Sequence, residues 1–398
     1  MDNFIVRAMT ILLLAALTAL AAGDRPLETD GFDHFYNLEY DQAIADFTQE
    51  IAAQPENPNA YNHLAQSILY REMLRSGALE SQLVTGSNPF LRRQKMNPDP
   101  KDERRFNESL AKAIQLGDAR FEKNPKDTGA LYALGVSYGL RANYEFLVRK
   151  AWMDALRDST TARKYHNQVT DIDPSFIDAR LVQGVHDYIV GSLPWAMKML
   201  GFLGGFHGDR EEGIRLLQLV AQKGKSDRVD AQILLAAIYR RERRPLDAIL
   251  LLNSLVERYP RAYLLRFEQA QMYGDASDKA HALEALDKVA EMKRDGAPGY
   301  ARVPEEKIQY ARGNLLFWYN DLDRALDDLK AVTARAGNVD LSTGVMAWMR
   351  LGQTYDLKGQ RAQALAAYRQ AIQYAPQSDV AKESRGYLST PYRRRREG

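Results

Sequence analysis

The hydrophobic residues of this chain fall into short blocks with the spacing of amphipathic helices, and the blocks end at prolines or glycines. No stretch alternates between apolar and polar residues over the length of a strand, so no sheet is expected. From about residue 40 to residue 376 the blocks recur in pairs, and small and aromatic residues recur at matching places within them. This pattern predicts an all-α protein built from repeated helical hairpins.

The clearest copy of the repeat lies near the C-terminal end. Its defining positions are Trp348, Leu351, Gly352, Tyr355, Ala364, Tyr368, Ala371 and Pro376. This pattern resembles the tetratricopeptide repeat (TPR), in which two antiparallel helices approach closely at small residues and the second ends at a proline. Weaker copies precede it, among them residues 229–260. The resemblance implies an α-solenoid, a TPR-like right-handed superhelix of about eight antiparallel helix pairs.

The spacing divides the chain into segments. Residues 24–376 are expected to form the helical-repeat domain, residues 377–390 a C-terminal capping helix and residues 391–398 a basic tail. Insertions lengthen the repeat at 70–108, 139–156, 189–209 and 293–305. Insertions in a solenoid usually lie on one face, often where partners bind.

The first 23 residues have the pattern of a signal peptide. Arg7 precedes an apolar run from Ala8 to Ala22, and small residues allow cleavage near Ala21–Ala22. The run is short for a membrane span of about 20 residues. We therefore predict export to the periplasm or secretion, with an uncleaved N-terminal anchor as the alternative.

Residues 184–217 carry a second, more specific motif. It comprises Ser192-Leu193-Pro194, Lys198, Leu200-Gly201-Phe202 and Gly208-Asp209-Arg210-Glu211-Glu212-Gly213. This segment resembles the tetratricopeptide repeat protein 39 family, which includes a yeast mitochondrial outer-membrane and inclusion-body clearance protein. The family has no established catalytic residues, so the resemblance implies none here. Read locally, Asp209 and Glu212 predict a capping box at the start of a helix.

The composition offers few residues suited to catalysis or metal binding. The chain has no Cys, six scattered His and a net charge of +2 from 54 basic and 52 acidic residues. It contains no motif typical of metal ligands, nucleophilic catalysis or phosphate binding. We expect no enzyme activity, cofactor, metal or nucleic-acid partner. A strongly perturbed buried carboxylate or His in the structure would favour the rival hypothesis of a site assembled across repeats.

The remaining candidate is the concave groove, which the TPR resemblance places at residues two, five, nine and twelve of each first helix. TPR modules that capture a C-terminal carboxylate present Lys and Asn at the fifth and ninth positions, whereas the fifth positions here are mainly apolar or aromatic. That register suits an amphipathic helix, an extended segment or the protein's own N-terminal extension. The predicted groove residues are Asn62, Gln66, Tyr132, Leu181, Val185, Ile233, Phe267, Gln271, Tyr310, Asn314, Phe317, Met349 and Gln353.

Together these observations predict an exported, non-enzymatic scaffold or adaptor that binds another protein or peptide segment through this groove. The alternative is a membrane-associated assembly or lipid-handling factor. Its peripheral membrane contact would be the apolar insertion at 189–209. The insertion residues expected to make contacts are Trp195, Met199, Phe202 and Phe206.

Overall fold

The computed structural model describes residues 27–79, 96–192 and 208–394, and within these ranges it contains helices and no strand. We number the helices of the described ranges α1 to α17. They are α1 (Leu27–Tyr36), α2 (Tyr40–Ala53), α3 (Pro58–Arg75), α4 (Pro100–Lys123), α5 (Thr128–Tyr144), α6 (Trp152–Ile172), α7 (Arg180–Gly191), α8 (Arg210–Lys223), α9 (Arg228–Arg241), α10 (Pro245–Arg258), α11 (Tyr263–Asp275), α12 (Lys279–Arg294), α13 (Glu305–Trp318), α14 (Leu322–Ala334), α15 (Leu341–Leu357), α16 (Arg361–Tyr374) and α17 (Asp379–Ser389).

Consecutive helices pack in pairs, from α1 with α2 to α15 with α16, and α17 packs against α16 at the end of the stack. The described ranges thus contain eight hairpins and one further helix. First helices of neighbouring hairpins also touch, as α3 does with α5 and α13 with α15. The predicted all-α solenoid of helix pairs is confirmed.

Acidic and hydroxyl side chains fix where several helices begin. The side chain of Asp127 accepts a hydrogen bond from the Ala130 amide at 3.0 Å, which caps α5. Asp209 caps α8 by accepting from the amides of Glu211 and Glu212, as predicted, but the reciprocal half of the predicted capping box is not formed, because the Glu212 side chain pairs with Arg215. Each cap satisfies amides that have no partner within the first helical turn.

Glycines bring paired helices into contact at the places the repeat requires. A side chain at Gly352 would lie 2.5 Å from the Tyr368 ring, so α15 and α16 could not pack as they do. In the fourth hairpin, a Cβ atom at Gly213 would lie 2.7 Å from the carbonyl oxygen of Gly184. Here the backbones of α7 and α8 touch directly.

The first hairpin also packs against the fifth, far away in the sequence. One hydrophobic cluster joins Phe35, Tyr36 and Tyr40 to Leu255 and Tyr259 at the end of α10. The Tyr36 and Tyr259 rings lie 5.1 Å apart. The stack therefore curves until its N-terminal helices meet its middle, and their side chains fill the space between.

A second long-range approach occurs just after α3. A Cβ atom at Gly77, which has a φ of 71°, would lie 3.3 Å from the Cβ atom of Asp340 at the start of α15. The end of the first described range thus approaches the start of α15. Of the helices in the described ranges, none is long and apolar enough to span a membrane.

Candidate functional site

Two carboxyl groups face tyrosines from distant hairpins on the inner side of the N-terminal part. Asp227 and Asp230 lie one turn apart at the start of α9. The Tyr36 hydroxyl donates to Oδ2 of Asp230 at 2.7 Å, and the Tyr132 hydroxyl lies 2.8 Å from both carboxylate oxygens of Asp227. We call these four residues the tyrosine–aspartate cluster. It connects α1 and α5 to α9.

Burial dominates the electrostatics of this cluster. It raises the pKa of Asp230 to about 6, although the hydrogen bond from Tyr36 works in the opposite direction. Burial also raises the pKa of Asp227 well above its usual value, and the nearby charge of Asp230 adds to this effect. The pKa values of Tyr36 and Tyr132 rise through burial and through the neighbouring carboxyl groups. Both hydroxyls therefore remain protonated donors at neutral pH.

These are the perturbed carboxyl groups that would favour an assembled active site, but the contacts assign them another role. Each is hydrogen-bonded to a tyrosine of another hairpin, and Asp178 accepts from the Asp227 amide at 3.0 Å. Within the described ranges no group of three His, Cys, Asp or Glu could hold a metal ion. The cluster is accounted for as a contact between hairpins.

Arg261 strengthens the same contact from the loop before α11. Its Nε donates to Glu39 at 2.9 Å and its Nη2 to Asp33 at 2.7 Å, while its backbone amide donates to the Asn37 side chain. The first hairpin is thus held by ion pairs as well as by apolar packing. The inner side of hairpins one to five is largely occupied by the protein's own contacts.

His166 lies next to this region, inside the third hairpin. The side chain is fully buried, edge-on to Tyr132, and both ring nitrogens lack a hydrogen-bond partner. Burial lowers its pKa to about 3, so the ring is neutral. His166 packs in the core and is not placed to bind a metal.

The C-terminal part of the inner side has a different chemistry, because two arginines converge there on one aromatic ring. The guanidinium carbon of Arg350 lies 4.4 Å from the centre of the Phe317 ring, and that of Arg394 lies 5.3 Å from it. Arg350 also lies 4.9 Å from the Trp318 ring. We call Arg350, Arg394 and the Phe317 ring that both approach the two-arginine site.

Residues 391–394 form one wall of this site. The Tyr392 amide donates to Oδ2 of Asp356 at 2.8 Å, and the Tyr392 ring lies 5.9 Å from the Phe317 ring. Arg394 donates to the backbone carbonyl oxygens of Phe317 and Trp318. The beginning of the predicted basic tail therefore packs across α13 and α15.

The predicted groove residues divide between the two parts. In the N-terminal part, Asn62 is fully buried, where it donates to the Ala133 carbonyl oxygen at 2.9 Å and accepts from Ser137. Tyr132 belongs to the tyrosine–aspartate cluster. Ile233 is 36% exposed, whereas three further predicted residues are half-buried: Gln66, Leu181 and Val185.

In the C-terminal part, the predicted residues on α11 and those on α13 up to Asn314 are half-buried, and those farther along are buried. The half-buried ones are Phe267, Gln271, Tyr310 and Asn314, and the buried ones are Phe317, Met349 and Gln353. The insertion residues Trp195, Met199, Phe202 and Phe206 lie outside the described residues.

The sequence analysis did not identify Arg350, Asp227 or Asp230 as part of any site. Arg350 follows Met349 directly and occupies the sixth position of its repeat, which the groove register of two, five, nine and twelve omits. Asp227 and Asp230 gain their partners from helices about 100 to 200 residues away, as the pairs with Tyr132 and Tyr36 show. A single sequence carries no signal for such pairings.

Comparisons with known proteins agree with the repeat pattern over a short stretch. Residues 345–378 match the family model of the tetratricopeptide repeat. No curated protein matches the chain. The resemblance of residues 184–217 to the tetratricopeptide repeat protein 39 family therefore stays a prediction.

Several solved structures resemble the chain at low identity. The APC/C hetero-tetramer Cut9–Hcn1 is 14% identical over 88% of this chain and 52% of that chain, with a TM-score of 0.46. Yeast Tom70 is 12% identical over 91% of this chain and 94% of that chain, with a TM-score of 0.41. YrrB, described as a TPR protein with an unusual peptide-binding site, is 15% identical over 69% of this chain and 99% of that chain, with a TM-score of 0.31. This chain spans about half the length of the matched Cut9–Hcn1 chain.

Proposed function

We propose that this protein is a non-enzymatic scaffold that holds a segment of another protein along the inner side of α11, α13 and α15. The matched repeat at 345–378 belongs to a fold that typically supports interactions between proteins. The observation that carries the proposal is the contrast between the two parts of the inner side. Hydrogen bonds between distant hairpins cross the N-terminal part, whereas none of the four half-buried groove residues of α11 and α13 makes a hydrogen bond to another hairpin of the described chain.

The chemistry of this surface suits a peptide segment. Phe267 and Tyr310 offer aromatic surface, and Gln271 and Asn314 offer amide groups. Aromatic rings combine large contact area with few rotatable bonds, and amides can pair with a peptide backbone. An extended segment or an amphipathic helix fits such a surface.

Export to the periplasm or secretion is part of the proposal, and it rests on the signal-peptide pattern of residues 1–23. A fusion of residues 1–30 to a reporter enzyme that is active only outside the cytoplasm tests it. Reporter activity comparable to that of an established leader supports export. No reporter activity, with the fusion protein present in the cytoplasm, contradicts it.

Site-specific photocrosslinking tests the binding surface directly. A photoreactive amino acid is placed at Tyr310 or Phe267 on the inner side, and as a matched control at Leu250 on α10. Leu250 is 72% exposed and lies on a second helix of a hairpin. We expect the first two positions to crosslink to one shared protein that the control position does not capture. Equal capture from Leu250, or none from Tyr310 and Phe267, would contradict the proposal.

A further inference from the structure

We propose that Arg350 and Arg394 form a binding site for a carboxylate of the partner, so that the segment held in the groove is acidic. This inference rests on the proposed function and specifies the chemistry of the bound segment. It is carried by two guanidinium groups that approach the same ring and make no ion pair with a described residue.

Arg350 is an exception among the buried basic residues of the described chain. Arg240, whose side chain is also buried, pairs with Glu268 at 3.0 Å, and the mostly buried Lys307 lies 3.4 Å from Asp340. Arg350 is 7% exposed, donates to the neutral side chain of Gln353, and makes no ion pair with any described residue. Because a buried charge without a counter-ion is costly, its presence indicates an anion that completes the site.

Arg394 adds a second positive charge to the same ring. Its hydrogen bonds within the described chain go to backbone carbonyl oxygens. The Nε atoms of both Arg350 and Arg394 are buried and have no acceptor. Two like charges beside one ring repel each other, and a carboxylate that accepts from their unused Nε–H groups would offset both charges.

The surroundings favour a peptide over a simple anion. The side-chain carbonyl oxygen of Asn314 is buried without a donor and lies one helical turn before Phe317 and Trp318. A peptide backbone can supply the missing N–H, whereas phosphate at neutral pH presents mainly acceptors. Trp318 is 54% exposed and offers an apolar surface beside the charged groups. The site therefore fits an acidic residue flanked by apolar side chains.

This site differs from the TPR arrangement in which Lys and Asn at the fifth and ninth positions capture a C-terminal carboxylate. Those positions in α13 and α15 are Tyr310 and Met349, which carry no charge. One arginine here comes from the sixth position of α15 and the other from residues 391–394. These residues have no helical structure.

The test uses the full chain and a short fluorescein-labelled peptide of alternating leucine and glutamate, with fluorescence anisotropy as the measurement. We expect the peptide to bind, and binding to weaken about tenfold or more in Arg350→Gln and in Arg394→Gln, because each loses a charge-assisted hydrogen bond. Arg393→Gln is the matched control: it removes the same charge from the neighbouring exposed position and should bind as the unmodified protein does.

Heteronuclear NMR locates the binding, since the Nε–H resonances of Arg350 and Arg394 should shift on addition of the peptide while that of Arg393 does not. A peptide with glutamine in place of glutamate should not bind. No binding, equal binding of the glutamine peptide, or equal loss in Arg393→Gln would overturn the inference. Displacement of the peptide by inorganic phosphate at equal concentration would also overturn it, in favour of a phosphate site. Crosslinking from Tyr310 to a partner is independent of these outcomes, so the proposed function can stand if this inference fails.

Discussion

Tyr132 and Tyr310 occupy the same fifth position of the first helix in two hairpins, yet their hydroxyl groups have different surroundings. The Tyr132 hydroxyl lies 2.8 Å from both carboxylate oxygens of Asp227, which belongs to a hairpin two places along the stack. For Tyr310 the structure shows partial burial on α13, with a pKa raised by burial. The same repeat position can therefore hydrogen-bond to a distant hairpin, as Tyr132 does, or pack on a neighbouring cluster without such a bond, as Tyr310 does.

The charged side chains of the N-terminal part and of the two-arginine site also differ in their surroundings. In the N-terminal part, buried carboxyl groups receive hydrogen bonds from tyrosines, and Arg261 pairs with Asp33 and Glu39. At the two-arginine site, Arg350 and Arg394 approach one ring and make no ion pair with a described residue. The tyrosine–aspartate cluster and the two-arginine site thus differ in whether the charged groups have partners within the described chain.

The largest expected effect comes from breaking the contact between the first and fifth hairpins. Tyr36→Ala removes a buried ring that packs on Tyr259 and a hydroxyl bonded to Asp230. We expect a loss of about 3 to 5 kcal/mol in the free energy of unfolding, as for other large-to-small changes in a core. Urea denaturation measures the loss, and hydrogen exchange should increase in α10 as well as in α1.

Tyr36→Phe serves as the control, because it keeps the ring and removes only the hydroxyl. Its cost should be smaller, about 1 to 3 kcal/mol for an unsatisfied buried acceptor. If exchange in Tyr36→Ala increases in α1 alone, the two hairpins are not energetically coupled and the comparison between the two parts loses its basis.

The sequence contained enough information for the fold. Residues such as Gly352, Tyr368 and Pro376 act within one hairpin, so their spacing alone predicts the helix pair. Helix starts were also predictable where a short-range contact fixes them, as at Asp209. Such local signals identify hairpins because each hairpin packs mainly against its neighbours.

The site was less predictable, because it depends on the curvature of the whole stack. The pairing of Tyr36 with Asp230 spans 194 residues and exists only because the first hairpin returns to the fifth. Likewise, Arg394 lies in an apparent surface tail by sequence and reaches Phe317 only after α17. Small angles between successive hairpins add up to these contacts, and repeat spacing does not encode those angles.

The next effect compares two arginines with and without a counter-ion. Arg141 on α5 binds Asp158 through two hydrogen bonds of 2.6 and 2.8 Å, and Asp158 is buried. Arg141→Met should cost about 2 to 3 kcal/mol, because it leaves a buried carboxylate unpaired. Arg350→Met should change the free energy of unfolding by no more than about 1 kcal/mol. Urea denaturation of both variants measures the two changes. Equally large losses in the free energy of unfolding would mean that Arg350 has a structural role.

A smaller effect on the free energy of unfolding is expected from removing the hydroxyl groups of the two tyrosines at the fifth position. Tyr132→Phe removes the hydroxyl that donates a hydrogen bond to Asp227 and should lower the free energy of unfolding by about 2 kcal/mol. Tyr310→Phe should lower it by less than about 0.5 kcal/mol, the usual range for partly exposed positions. Thermal unfolding under identical conditions measures both. Similar losses would show that Tyr310, too, supports a contact within the chain.

The smallest effect is the pH dependence that Asp230 confers. Because burial raises its pKa to about 6 in the folded state, above the value of about 3.9 expected when unfolded, the folded protein takes up a proton as the pH falls. The stability that this group provides is therefore present at low pH and is lost as the pH rises through about 6.

From about pH 7 to about pH 5, the unmodified protein should gain about 1 kcal/mol relative to Asp230→Asn in urea denaturation. Asp275→Asn, on a half-exposed side chain of α11, should show no such gain. A gain of the opposite sign would mean that the carboxylate is better stabilised in the folded state than in water, so that burial does not dominate the electrostatics of Asp230.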